Sequence, residues 1–178
     1  VAETVTDYYE GDVTNFLEQE TLIFEDIRLV LDQQFRRLLP LEQEIMFWLT
    51  VEREPISTRK LALNFIQPPS HRTLLEAIRS LHRRSLVERD SLDTFDSADS
   101  EAAFSLQNVV LEYSTERLRD RIAAELISEQ LDHCLRYALV KAQATDYVRS
   151  AQVRLILQPL AQQLLETYGK QGVASKLK

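Results

Sequence analysis

Prolines constrain this chain more than any other residue. Of the five among its 178 residues, four are Pro40, Pro55, Pro68 and Pro69. A helix interior rejects proline, which has no N–H to donate and whose ring strikes the carbonyl four residues back. Pro40 is placed to open a helix with Leu41, Ile45, Trp48 and Leu49 on one face. Pro55 pushes Glu54 toward extended geometry and ends that helix. Ser57 caps a short helix carrying Leu61 and Phe65, which Pro68-Pro69 stops. Ser70 caps a longer helix with Leu74, Leu75, Ile78 and Leu81 in a stripe. Leu86–Arg89 and Ala103–Leu106 then read as paired strands around a polar loop. Three helices followed by a hairpin form a winged helix. The expected fold is mainly α: a winged-helix domain of three helices and a two-stranded β wing, flanked by N-terminal helices and a C-terminal helical segment.

Outside that stretch the pattern is helical. Gly11 is placed to end an opening helix, and Asp12 to cap the next. Val1–Val5 carries no cap of its own, so the chain is expected to begin inside a larger protein. Phe24, Ile27, Leu31, Phe35 and Leu38 recur at helical spacing. After the wing, one long helix is expected from Asn108 to about Leu131. A second should run from about Cys134 through Tyr147, and a third from about Arg149 to Tyr168, kinked or restarted at Pro159. Gly169 and Gly172 should end it, leaving Lys170–Lys178 loose.

Composition bounds the chemistry. A net charge of −7 and a pI near 5.1 disfavour general binding to nucleic acid or anionic membrane. The single cysteine, Cys134, has no internal partner, and no secretion signal or apolar run of about 18 residues is visible, so a cytoplasmic setting is expected. Three glycines are few for a doubly wound enzyme, and none precedes a Lys-Ser/Thr pair as a phosphate-binding loop requires. His71, His82 and His133 are too scattered to share a metal or build a nucleophilic triad, and are expected at the edge of the core. Asp90, Asp93, Asp96, Asp99 and Glu101 lack the alternate spacing and central glycine of a calcium loop, which leaves a solvated wing loop. The fragment is not expected to be an enzyme.

The third helix raises the question of DNA, because that helix enters the major groove in many winged helices. Its outer face carries Arg72, Glu76, Arg79, Arg83 and Arg84, and Arg72 and Arg79 flank Glu76 closely enough to pair with it. With Glu88 and Arg89 included, the face is locally +3, while Asp90–Glu101 is locally −5 and would be repelled by phosphates. That combination favours packing on a protein surface.

The run Ile27…Leu31…Phe35…Leu38…Glu42…Ile45-Met46…Leu49, then Leu74-Leu75…Ile78…Leu81…Arg84-Ser85-Leu86-Val87, then Leu106-Gln107-Asn108-Val109-Val110…Glu112-Tyr113 resembles the winged-helix region of STAND-type (NB-ARC-like) signalling NTPases. It is especially similar to cyanobacterial members that continue into WD repeats. Pro40–Leu49 and Leu81–Glu88 are the most specific pieces. The resemblance covers most of the chain. It implies that residues 1–39 leave a nucleotide-binding domain, that 40–107 form the regulatory winged helix, and that 108–178 connect toward sensor repeats. It also implies ADP or ATP in the parent protein, with no cofactor in this fragment. Where the family has Met-His-Asp, whose histidine reaches the β-phosphate of ADP, this chain has Leu106-Gln107-Asn108. Gln107 could donate an amide N–H to a phosphate beside a positive helix end, or the segment could simply cap the helix, with Asn108 as the cap. Two rival functions stay open: a DNA-binding winged-helix regulator, and a helical protein-interaction scaffold.

Overall fold

The computed structural model describes residues 26–91, 102–128 and 130–176, with side chains of 26–90, 102–128 and 130–169. The expectations for Gly11, Asp12, Phe24, Asp93, Asp96, Asp99 and Glu101 lie outside the described residues. The chain divides after Leu38 into two units. In the first, helix α1 covers residues 26–36, with Leu31, Phe35 and Leu38 buried and Ile27, Leu29 and Val30 exposed.

The second unit opens with α2, Pro40–Glu52, with Pro40 in the first turn. Glu42 accepts from the Leu39 N–H at 2.7 Å. This is half of a capping box, since leucine has no oxygen with which to return the bond. The helix ends on Arg53 in the left-handed region, φ 57°. The sequence pattern expected one apolar face. In fact α2 is buried from Ile45 through Val51, because α4, α5 and β3 pack around it and Tyr137 and His133 cover Phe47.

Strand β1, Ile56–Ser57, leads into α3, Thr58–Ala62, and the Ser57 side chain accepts from Lys60 N as its cap. Helix α4, His71–Arg83, is capped by Ser70 on Thr73 N at 3.1 Å. It buries Leu74, Ile78 and Leu81. Its C-terminus closes in a Schellman pattern, with Leu86 N bonded to Leu81 O and Ser85 at φ 56° where glycine is usual.

The hairpin strands are β2, Val87–Ser91, and β3, Ala102–Leu106. They pair antiparallel, with Val87 opposite Leu106 and Arg89 opposite Phe104. The sequence pattern expected two strands, but the sheet has three, in the order β1-β3-β2, with Ile56 opposite Phe104. Two residues leave no alternation to detect. β1 exists because β3 offers it an edge.

Helix α5, Asn108–Ser128, follows at once and buries Val110, Tyr113, Leu118 and Ile122. Leu111 N bonds to Gln107 O at 2.7 Å, which puts Gln107 at the cap position and Asn108 inside the first turn. Beyond α5 the expected helix through Tyr147 is broken. α6 is only Asp132–Arg136, residues 137–145 are irregular, and α7 is Asp146–Gln152. A π turn, Val153–Leu157, leads directly into α8, Gln158–Lys176. Gln158 N donates to Val153 O, five residues back. The expected disruption at Pro159 is therefore a widened turn just before a residue that cannot donate. Gly169, at φ 65° and ψ 170°, leaves helical geometry and breaks the helix where expected, and a further helical piece follows it to Lys176.

Candidate functional site

The outer face of α4 and the hairpin beside it form the first candidate. Arg72, Glu76, Arg79, Arg83 and Arg84 are all exposed. Arg72 Nε pairs with Glu76 Oε1 at 2.9 Å, one helical turn away. Arg79, Arg83 and Arg84 have no hydrogen bond or ion pair among the described residues. His71 and His82, expected at the edge of the core, are both exposed. Their positions on the helix fall between the stripe and the solvent face.

Between α4 and the hairpin lies an open groove of about 280 Å³. Leu75, Ile78, Ala102 and Phe104 form its floor, and Arg79, His82 and Arg89 stand around it. Strand alternation explains the composition. Arg89 lies opposite Phe104, so the two share a face, while Glu88 and Asp90 belong to the other face. There, Ser105 Oγ donates to Asp90 Oδ2 at 2.6 Å. The sequence placed Arg79 on the outer face of this helix and His82 at the edge of the core, and only the hairpin pairing brings Arg89 and Phe104 beside them.

Gln107 is half-buried at the head of α5. Among the described residues its side chain has no hydrogen bond, and no bond joins it to any of the α4 arginines. The backbone N–H groups of the first turn of α5 point out of that helix end. Gln107 follows directly on Leu106, which pairs with Val87 at the start of β2.

A second polar cluster, which sequence reasoning missed, ties the C-terminal helices to α2. Gln152 is fully buried. Its Nε2 donates to Val51 O at 2.7 Å, and its Oε1 accepts from Lys141 N at 3.1 Å. Val51 O belongs to the last turn of α2, whose carbonyls have no helical partner. Lys141 Nζ pairs with Glu52 and donates to Asn64 Oδ1 at 2.9 Å, and Asn64 Nδ2 donates to Glu52 Oε1 at 2.6 Å. Arg136 pairs with Glu44 at 3.3 Å, and Thr145 Oγ1 donates to Glu54 at 3.1 Å. Arg53 Nη2 reaches Thr115 Oγ1 at 2.9 Å, and burial lowers the pKa of its guanidinium.

Cys134 is not arranged as a nucleophile. Burial first, and then the Glu125 carboxylate, push its thiol pKa up. Glu125 itself is engaged by His133 Nδ1 and by the backbone N–H groups of His133 and Cys134, at 2.7 and 3.1 Å, which caps α6. Among the described residues no group of three or more His, Cys, Asp or Glu side chains could hold a metal, and no helix is long and apolar enough to cross a membrane.

No protein-family model matches the chain. Among solved structures, the adhesin competence repressor AdcR of Streptococcus pyogenes overlaps 88% of this chain and 99% of its own, at 15% identity and a TM-score of 0.42. MepR, a transcription regulator of the Staphylococcus aureus multidrug efflux pump MepA, overlaps 85% and 98%, at 13% identity and a TM-score of 0.40. Overlaps that loose say nothing about function. In sequence, the chain is 38% identical over 205 aligned residues to an uncharacterized WD repeat-containing protein of Nostoc sp.. The match takes in 95% of this chain but spans only 16% of that relative.

Proposed function

We propose that this chain is the regulatory winged helix, with its flanking helices, of a STAND-like signalling NTPase in the cytoplasm. The supporting observation is the 38% identity to a WD repeat-containing protein over 16% of its length, joined to a fold of helices and a small antiparallel sheet with a hairpin wing. In this reading residues 1–39 leave a nucleotide-binding domain, 40–107 act as its lid, and 108–178 lead toward sensor repeats. The lid closes over ADP in the resting state and swings away on exchange for ATP, a hinge motion between two packings. The Gln107 amide, unbonded among the described residues, and the positive end of α5 support a phosphate contact at this point. Arg83 and Arg84, exposed at the end of α4, supply charge to the same partner domain.

In the longer protein, Gln107→Ala is expected to change nucleotide retention or basal activation, read as bound ADP after gel filtration. Unchanged retention would favour a helical scaffold with no nucleotide in its mechanism. The upstream reading frame is expected to encode a glycine-rich loop ending in Lys-Ser/Thr, and without that loop the proposal falls. A second reading, DNA binding, draws on Arg79, Arg83 and Arg84, which are exposed and without anionic partners among the described residues. Duplex binding that survives physiological salt and falls steeply as salt rises would promote it.

A further inference from the structure

We infer that the groove between α4 and the hairpin is a docking site for an acidic peptide segment of a partner protein, one that presents a single large apolar side chain flanked by carboxylates.

The floor accounts for the anchor. Leu75, Ile78, Ala102 and Phe104 offer no hydrogen-bonding side-chain atoms, and the groove's volume of about 280 Å³ accommodates one bulky side chain. An apolar group buried there leaves water at about 25 cal/mol per Å² of apolar surface. Arg79, His82 and Arg89 account for the flanks. None of the three has an anionic partner among the described residues. Among the described residues the neighbouring acids are committed or turned away: Glu76 pairs with Arg72, Asp90 accepts from Ser105 on the opposite side of the hairpin, and Glu88 shares Asp90's face.

Charge complementarity selects the occupant. The chain carries a net −7, so the groove is a cationic patch on an anionic protein. The local cations Arg79 and Arg89, without anionic partners among the described residues, attract carboxylates at short range. Nucleic acid matches the cations but brings no single apolar anchor to the floor lined by Leu75, Ile78, Ala102 and Phe104. An acidic peptide with one aromatic or leucine side chain satisfies both halves of the groove. The inference does not depend on the nucleotide reading, because Gln107 is not part of the groove.

The test is a display selection of randomised heptapeptides on this chain, followed by fluorescence anisotropy with the enriched peptides. Enriched sequences are expected to hold Phe, Leu or Trp between Asp and Glu. Replacing that anchor by Ala, or the acids by Asn and Gln, is expected to weaken binding about tenfold or more. The double variant Arg79→Glu/Arg89→Glu should lose binding to the same degree while keeping the circular dichroism and melting point of the parent. Leu75→Ala should weaken the anchored peptides and leave purely electrostatic binding of polyglutamate unchanged. Enrichment of basic or uncharged peptides would overturn the inference, as would equal binding to the charge-reversed variant. So would preference for a DNA duplex over every peptide, or dimerisation that the same arginine changes abolish. If peptides bind only after Asp93, Asp96 and Asp99 are changed to Asn, the chain's own acidic stretch is the occupant and the inference fails. None of these outcomes bears on nucleotide retention in the longer protein.

Discussion

The two flanks of α2 are held by different physics. Toward α4, α5 and β3 it presents Ile45, Met46, Leu49 and Val51, all buried, in an apolar layer shared with Leu74, Ile78, Leu118 and Ile122. Its C-terminal end meets the segment from Tyr137 to Gln152 largely through polar atoms: Glu52, Asn64, Lys141, Gln152 and the orphan carbonyl of Val51. Tyr137 marks the join, with its ring 4.8 Å from Trp48 and 5.7 Å from Phe47. Apolar contact is non-directional and tolerates small shifts, whereas buried hydrogen bonds fix one geometry and are costly when half broken. The winged helix therefore has a core, and the C-terminal segment has a keyed seam.

The largest effect expected is on the apolar flank. Leu118→Ala removes a fully buried side chain and should cost about 3 kcal/mol in urea unfolding, with the winged helix and C-terminal segment melting together. A variant that melts only the C-terminal segment would break the comparison. At the seam, Gln152→Leu leaves Val51 O and Lys141 N without partners and should cost ~2 kcal/mol. Hydrogen exchange should accelerate across residues 137–145 while α4 stays protected, and equal acceleration in α4 would show that the seam is not a separate unit.

Tyr137 sharpens the comparison through pH. Burial first, with Glu44 adding to it, raises its pKa above the ordinary tyrosine value. A raised acid stabilises the fold while it is protonated, and that contribution is lost as pH rises above the unfolded value of about 10. Tyr137→Phe should remove this part of the alkaline loss and leave neutral-pH stability within about 1 kcal/mol. An unchanged alkaline unfolding profile would assign the loss to other groups. The smallest effect belongs to the solvent face. Arg72→Ala breaks an exposed i,i+4 pair and should shift stability by only a few tenths of a kcal/mol.

What could be read in advance was local. Ser57 and Ser70 cap where their sequence neighbours dictate, Pro40 opens α2, and the α4 stripe of Leu74, Ile78 and Leu81 is buried as its spacing requires. What could not be read depends on partners far along the chain. β1 is defined by Phe104 and Ala103, some 47 positions away. The break after α6 depends on Lys141 reaching Glu52 and Asn64, and on Gln152 reaching Val51. Those residues look like ordinary surface positions in a helical pattern. The candidate groove was barely legible: Arg79 was visible on the outer face, His82 was expected at the edge of the core, and Arg89 and Phe104 join them only through hairpin register.

Helix α5 belongs to both halves, since it packs on α2 near the wing and on α6 and α8 farther along. Its 21 residues make a rod roughly 30 Å long. Tilting such a rod by about 10° displaces its far tip by roughly 5 Å. A rotation of α5 at its hairpin end would therefore move the far end, where α6 and α8 pack on it, by a magnified distance.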